Sequence, residues 1–285
     1  MASINTNYGA AIALQNLNKT SSELERTQNR INTGMKVSSA KDSGAIFSIA
    51  TGQRANASAQ DAVRSSMQRG QSIVDVALAA GDTITSALEE MKGLAVSIAG
   101  STGAAKTSYE DEFKALGVEI KSALDGASFD GVNLLTTASG ATTTVRTGTG
   151  ATDTKVLGTA AALSANTDLA KFTAATPAVA DFTTANVDLV VTAVTSALST
   201  MGTQSKSLGR SISFTNKLQD SIEAGVGNLV DADLAKESAK LTALHTKQQL
   251  GVQALSIANT ASQTLLSLFR EGPEARSSRR PGHRS

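Results

Sequence analysis

The 285-residue sequence has a formal charge of +1, is 40% apolar and only 3% aromatic, and contains no cysteine and no tryptophan. A near-neutral balance gives no electrostatic case for nucleic acid or an anionic membrane surface, and without cysteine there is no disulfide or thiolate metal site. So few aromatics argue against a thick aromatic core and fit Ala-rich helices with narrow apolar stripes. Nothing before Pro177, the first of three prolines, is obliged to break a helix by losing a backbone N–H.

The first helix is expected over residues 4–32, where Ile4, Tyr8, Ala11, Ile12, Leu17, Leu24 and Ile31 form a stripe and Leu17, Leu24 and Ile31 repeat at seven. Gly34 is its stop signal. Residues 34–44 read as an irregular connector, with Asp42 or Ser43 the candidate N-cap of the next helix.

A long helix over about 45–99 follows. From Ile73 through Ala77, Ala80, Ile84, Ala87, Met91 and Leu94 to Ile98 the steps alternate 4 and 3 without a fault. That is a heptad seam, the mark of a helix wound lengthwise against others, roughly 39 Å long at about 1.5 Å per residue. Its charged residues, Glu89 and Glu90 among them, lie off the seam. Gly100-Ser-Thr-Gly103 ends it. Tyr109, Phe113, Leu116, Ile120 and Ala123 predict a third helix over about 107–125, and Gly131-Val-Asn-Leu-Leu135 reads as the start of a short extended segment.

From Thr136 to about Asn186 periodicity is lost in Thr, Ala, Ser and Gly, which predicts exposed hairpins and loops tolerant of change. The heptad resumes at Val187 and runs through Val191, Val194, Leu198, Met201, Ser205, Leu208, Ile212, Thr215, Gln219, Ile222 and Val226 to Leu229. After a connector containing Asp231-Ala-Asp233, a last helix over about 235–269 carries Leu241, Leu244, Val252, Leu255, Ala258, Leu265 and Phe269. The apolar pattern is palindromic, so the two end helices should pair antiparallel. The fold class expected is mainly α: a long antiparallel coiled-coil-like helical rod with a small β-hairpin and loop middle. Residues 271–285, with four Arg against two Glu and two of the three prolines, read as a disordered tail.

Catalysis has almost no material. His245 and His283 are the only histidines, which rules out a His-based triad or zinc cluster, and no phosphate-binding glycine loop is followed by the helix and lysine it needs. No cofactor and no metal is expected. Adjacent Glu89 and Glu90 diverge by about 100° on a helix, so they are a solvated face and no acid–base pair. The oddity is Gln248–Phe269, a stretch without one charge. Its glutamines, asparagine and hydroxyls make a membrane helix expensive. Burial against copies of itself is the reading that remains, since such a helix can pack on several sides. The N-terminus has no basic region followed by an apolar run, so no conventional signal peptide is expected.

These residues resemble a known family, the bacterial flagellins, in the alphaproteobacterial style with a short middle. The likeness is carried by Ser3-Ile-Asn-Thr-Asn7, Leu14-Gln-Asn-Leu-Asn18, Arg30-Ile-Asn-Thr-Gly34, Ser39-Ala-Lys-Asp42 and Phe129-Asp-Gly-Val-Asn-Leu-Leu135. At the other end it is carried by Asp231-Ala-Asp233, Ala254-Leu255, Ala258-Asn259, Gln263 and Leu265-Leu-Ser-Leu-Phe-Arg270. The resemblance implies a structural subunit of the flagellar filament, with the helices 1–33 and 241–270 as an inner tube and residues 45–135 and 187–229 as outer-tube helices. It makes 34–44 and 230–240 the spokes and 136–186 a short variable surface domain. Inner-tube packing would fall to Ile4, Leu17, Leu24, Ile31, Leu244, Val252, Leu255, Leu265 and Phe269. The rod seam would fall to Ile73, Ile84, Met91, Leu94, Ile98, Val194, Leu198, Met201, Leu208 and Ile212.

Implied partners are other copies of the chain, the filament cap, the hook–filament junction proteins and a flagellar export chaperone, with no nucleic acid and no membrane insertion. Export through the flagellar type III pathway would place the chain outside the cell without a cleavable signal. Flagellins detected by the Toll-like flagellin receptor usually carry a basic residue at the position of Glu90, so Glu89 and Glu90 depart from that motif. The tail after Arg270 is foreign to the family pattern. A hook–filament junction protein and a secreted, membrane-active helical protein are the competing readings.

Overall fold

The computed structural model describes residues 7–136, 142–159 and 162–270, with side chains described as far as residue 260. The fold is mainly α, 79% helical, with long helices packed on one another and one two-stranded sheet. In chain order the elements are α1 (Tyr8–Thr33), α2 (Gly44–Gly100), α3 (Gly103–Gly126), β1 (Thr142–Arg146), β2 (Thr154–Gly158), α4 (Thr167–Thr173), α5 (Thr184–Val230) and α6 (Leu234–Arg270). Single 3₁₀ turns flank α4 at Leu163–Ala165 and Val179–Asp181. The chain divides into two compact units, Gln53–Ala224 and the combined ends Met1–Gly52 with Gly225–Ser285.

In the central unit α2 and α5 run antiparallel, as the contacts Arg64–Gln219, Asp75–Ser205 and Lys92–Asp188 show. On α2, Ile73, Ala77, Ile84, Ala87, Met91 and Ile98 are buried, and Ala80 and Leu94 pack half-buried against them. Val74, Leu88 and Ala95 are buried too. The apolar stripe is therefore wider than one seam, because the same core also takes Phe113, Ile120 and Leu124 of α3. On α5, Val187, Val194, Met201, Leu208 and Thr215 are buried at every seventh position, while Leu198 and Ile212 are half-buried. At the end of α5 the seam shifts: Val226 and Val230 are buried and Leu229 is exposed. An α-helix drifts by about 20° per heptad against a strict seven-residue repeat, so a long seam must slip somewhere.

The middle segment departs from the sequence expectation. Residues 142–158 do form a hairpin, paired from Thr142–Gly158 to Arg146–Thr154, but the segment is not a loose surface loop. Val145, Leu157, Leu163, Leu169, Phe172 and Phe182 are buried and join the same core as α2, α3 and α5. Phe113 of α3 stacks on Phe182 at 4.2 Å and meets Phe172 edge-on at 5.3 Å. The backbone of Phe172 comes so close to Gly117 that a Cβ there would run into its carbonyl oxygen, and at Gly70 a Cβ would meet Val145 and Leu157. The hairpin is also held by polar bonds. Ser66 Oγ accepts from Arg146 N at 3.0 Å, Gln204 spans both backbone groups of Gly158 at 2.9 Å, and Lys155 bonds Ser207.

Two further corrections are local. Residues 131–135 are no strand. Asp130 (φ 53°) and Gly131 (φ 74°) make a two-residue turn in which Phe129 and Val132 exchange both backbone bonds at 3.0 Å, the geometry that positive φ at both central residues selects. Asn133, buried, then ties the turn to α3 by donating to Leu124 O at 2.7 Å and accepting from Leu135 N at 2.8 Å. Asp42 does not cap α2. Its Oδ2 accepts from the backbone N–H of Ser38 and of Ser39, both at 3.1 Å, and from both hydroxyls. Those bonds hold its carboxyl below the usual carboxylate range, the backbone of Ser38 and then Ser39 contributing most.

Candidate self-assembly surface

The end unit is built on an antiparallel pair, α1 against α6. Asn7 caps α1 by accepting from Ala10 N at 3.0 Å, and its amide reaches across to donate to Ala258 O at 2.8 Å. Leu17 lies against Gly251, whose absent Cβ would sit 3.3 Å from Leu17 Cδ1. Arg30 pairs with Glu237 at 3.1 Å. Gly34 closes α1 in the left-handed region at φ 69°. The two connectors then bond each other: Lys36 and Val37 N–H donate to Val230 O at 2.6 and 3.2 Å, and Ala232 N–H donates to Gly34 O at 2.9 Å. The second connector is short. α6 begins at Leu234, next to the start expected at about 235, because Asp233 starts it by accepting from Lys236 N–H at 3.1 Å. Residues 44–52 and 225–230 group with these ends, where Val37, Ala50, Val226 and Val230 are buried.

Two helices bury only one stripe each. Among the described large apolar side chains of α1 and α6, Leu24 and Leu244 alone are buried, while Leu17, Ile31 and Leu255 are half-buried. Val252 is 53% exposed, Ile257 69% and Tyr8 80%, and Ile12, Leu14 and Leu250 are also exposed. Burying one such side chain contributes about 1.5–3 kcal/mol, so this surface is strongly driven to find cover. Leu14, Leu250 and Ile257 lie off the heptad stripe and periodicity alone passes over them. The signal that finds Leu250 and Ile257 is the uncharged run Gln248–Phe269. Ile4 and the tail 271–285 lie outside the described residues, as do the side chains of Leu265 and Phe269. Glu89 and Glu90 are exposed on α2.

Among the described residues no group of acidic side chains and histidines could hold a metal, and no helix is long and apolar enough to cross a membrane. What this surface can do is associate. The bacterial flagellin N-terminal helical region matches residues 4–140, and the C-terminal helical region matches 184–269. The chain belongs to the bacterial flagellin family. It is 49% identical to flagellin FljK of Caulobacter vibrioides over 94% of its length and 98% of that protein. Flagellin of Brucella melitensis is 40% identical over 95% and 100%, and flagellin C of Rhizobium meliloti 32% over 95% and 100%. Flagellins are structural proteins that self-assemble into the extracellular flagellar filament, and this flagellin is a structural subunit of that filament.

Proposed function

We propose that this flagellin polymerises through its α1–α6 pair, which lines the inner tube of the filament, while the helices α2, α3 and α5 form the outer tube. Ile4, Leu17, Leu24 and Ile31 from one end and Leu244, Val252, Leu255, Leu265 and Phe269 from the other make the packing between copies. The observation that carries this reading is the uncharged α6 run with Val252, Leu250 and Ile257 exposed on a bare helix pair. Apolar surface of that extent on one element marks an association site.

In this reading the chain leaves the cell by the flagellar type III route, escorted by an export chaperone. It meets the hook–filament junction proteins at its base and the filament cap at its tip, and catalyses nothing. Electron microscopy tests it: the full chain and a chain ending at Arg270 are each seeded with filament fragments. Both are expected to polymerise. Growth of the shorter chain alone would make the tail an obstacle to assembly, and failure of both would favour a junction protein. The acidic pair Glu89–Glu90 leads to a second expectation, that purified monomer activates cells bearing the Toll-like flagellin receptor weakly. Strong activation would remove that reading.

A further inference from the structure

The strand pleat puts Lys155 on the covered side of the hairpin. Successive side chains of β2 point to opposite faces, so Lys155 shares a face with Leu157, which is buried against Gly70 of α2, while Val156 between them is exposed. Gln204 clamps the end of the strand by bonding both backbone groups of Gly158 at 2.9 Å. The half-buried ammonium is thereby carried onto α5, where it donates to Ser207 Oγ.

What the site lacks is a counter-charge. Elsewhere in the central unit Lys92, Lys106, Lys114, Lys121 and Lys171 each pair with a carboxylate at 2.6–3.8 Å. Among the described residues no carboxylate pairs with Lys155, and the charge that acts on it is a like one, Arg210. Arg210 follows Ser207 by three residues and so neighbours it on the surface of α5. Burial first, and the Arg210 guanidinium second, hold the Lys155 ammonium below the usual lysine value.

Two properties follow from this arrangement. A larger share of this amine is in the free-base form, the form that attacks a carbonyl carbon, and a bond donated by its N–H leaves the nitrogen lone pair unused. The guanidinium beside it is exposed and suited to an oxyanion, which it can hold by charge-assisted bonds.

We propose that Lys155 is an acylation site for small acyl phosphates, with Arg210 receiving the phosphoryl group. The amine attacks the acyl carbon, a C–N bond forms, and the bond from that carbon to the phosphate oxygen breaks. Phosphate leaves with the electron pair and takes up the proton that the nitrogen gives up, so the products are an amide and hydrogen phosphate. The amide keeps one N–H for Ser207 and carries no charge, so the modified side chain suits a half-buried place beside Arg210 better than the ammonium does.

The test uses the full chain and acetyl phosphate, with acetylation of each lysine followed by peptide mass spectrometry. Lys206 and Lys217, exposed on the same helix, serve as references. Lys155 should be acetylated at least about fivefold faster than either, and the preference should vanish in the chain unfolded in urea, where all three share one environment. Arg210→Gln should slow Lys155 at least about threefold toward acetyl phosphate and less toward p-nitrophenyl acetate, an uncharged acyl donor, with helicity by circular dichroism maintained. Equal rates at the three lysines of the folded chain, or a preference that survives in urea, would overturn the acylation site. An Arg210→Gln effect of the same size with both donors would overturn the phosphoryl contact.

Discussion

In the central unit Met67, Met91, Phe113 and Ile120 have no exposed surface, whereas in the α1–α6 pair only Leu24 and Leu244 of the described large apolar residues are buried. Both regions are written in the same seven-residue code. They differ in how many elements share one core. Around residues 53–224 the helices α2, α3 and α5 and the middle segment close over a common interior, so a wide apolar stripe is satisfied within the chain. The α1–α6 pair has only two layers and leaves its outer faces, including Tyr8 and Ile257, open. The lesson is that a heptad repeat specifies a partner face, and the count of neighbouring helices decides whether that partner is internal or another molecule.

The contrast breaks most sharply at Leu255. Leu255→Asp, a charge placed on the half-buried seam of α6, should abolish filaments in electron micrographs while the cooperative unfolding of the central unit is retained. Filaments of normal length from this variant would dissolve the assignment of the two roles. Phe172→Ala attacks the opposite side. It removes a fully buried ring that touches Phe113, and should cost about 3–5 kcal/mol in urea unfolding of the central unit; a cost near zero would return the middle segment to the status of a surface loop.

Gly117→Ala is the gentler version. The new methyl meets the Phe172 carbonyl, which is backbone and cannot rotate away, so a loss of about 1–3 kcal/mol is expected. Gly81→Ala is the control: there the obstacle is the tip of the Leu198 side chain, which can move, and the loss should be smaller.

The smallest effect concerns the connector of the end unit. Asp42 is fully exposed and its carboxyl is held low by the Ser38 and Ser39 N–H groups. A carboxyl depressed in the folded state contributes stability that is complete above its unfolded value, about 3.9, and is lost as pH falls through the folded value. The Ser38 and Ser39 amide resonances of the soluble chain should therefore titrate together below the ordinary carboxylate range. In Asp42→Asn that titration should vanish, with the central unit unaltered in both.

Much of this molecule is legible from its residues. The helices α1, α2, α3, α5 and α6 are long and strictly periodic, so side-chain spacing alone reveals them, and Gly100-Ser-Thr-Gly103 marks the break where α2 ends and α3 begins. The palindrome of apolar patterns was sufficient to pair the ends, and the uncharged α6 run pointed to association. Tertiary structure decided the rest, because it depends on contacts between residues far apart in the chain. Leu163, Leu169, Phe172 and Phe182 carry no period of their own and become core only because Gly117 and Phe113 on α3 receive them. Asp42 could have capped a helix but bonds backward to two serines, since the connector bends there. The apolar stripes bring α1 and α6 together, but how one lies along the other is decided by bonds between residues far apart in the chain, from Lys36 and Val37 to Val230, from Ala232 to Gly34 and from Asn7 to Ala258.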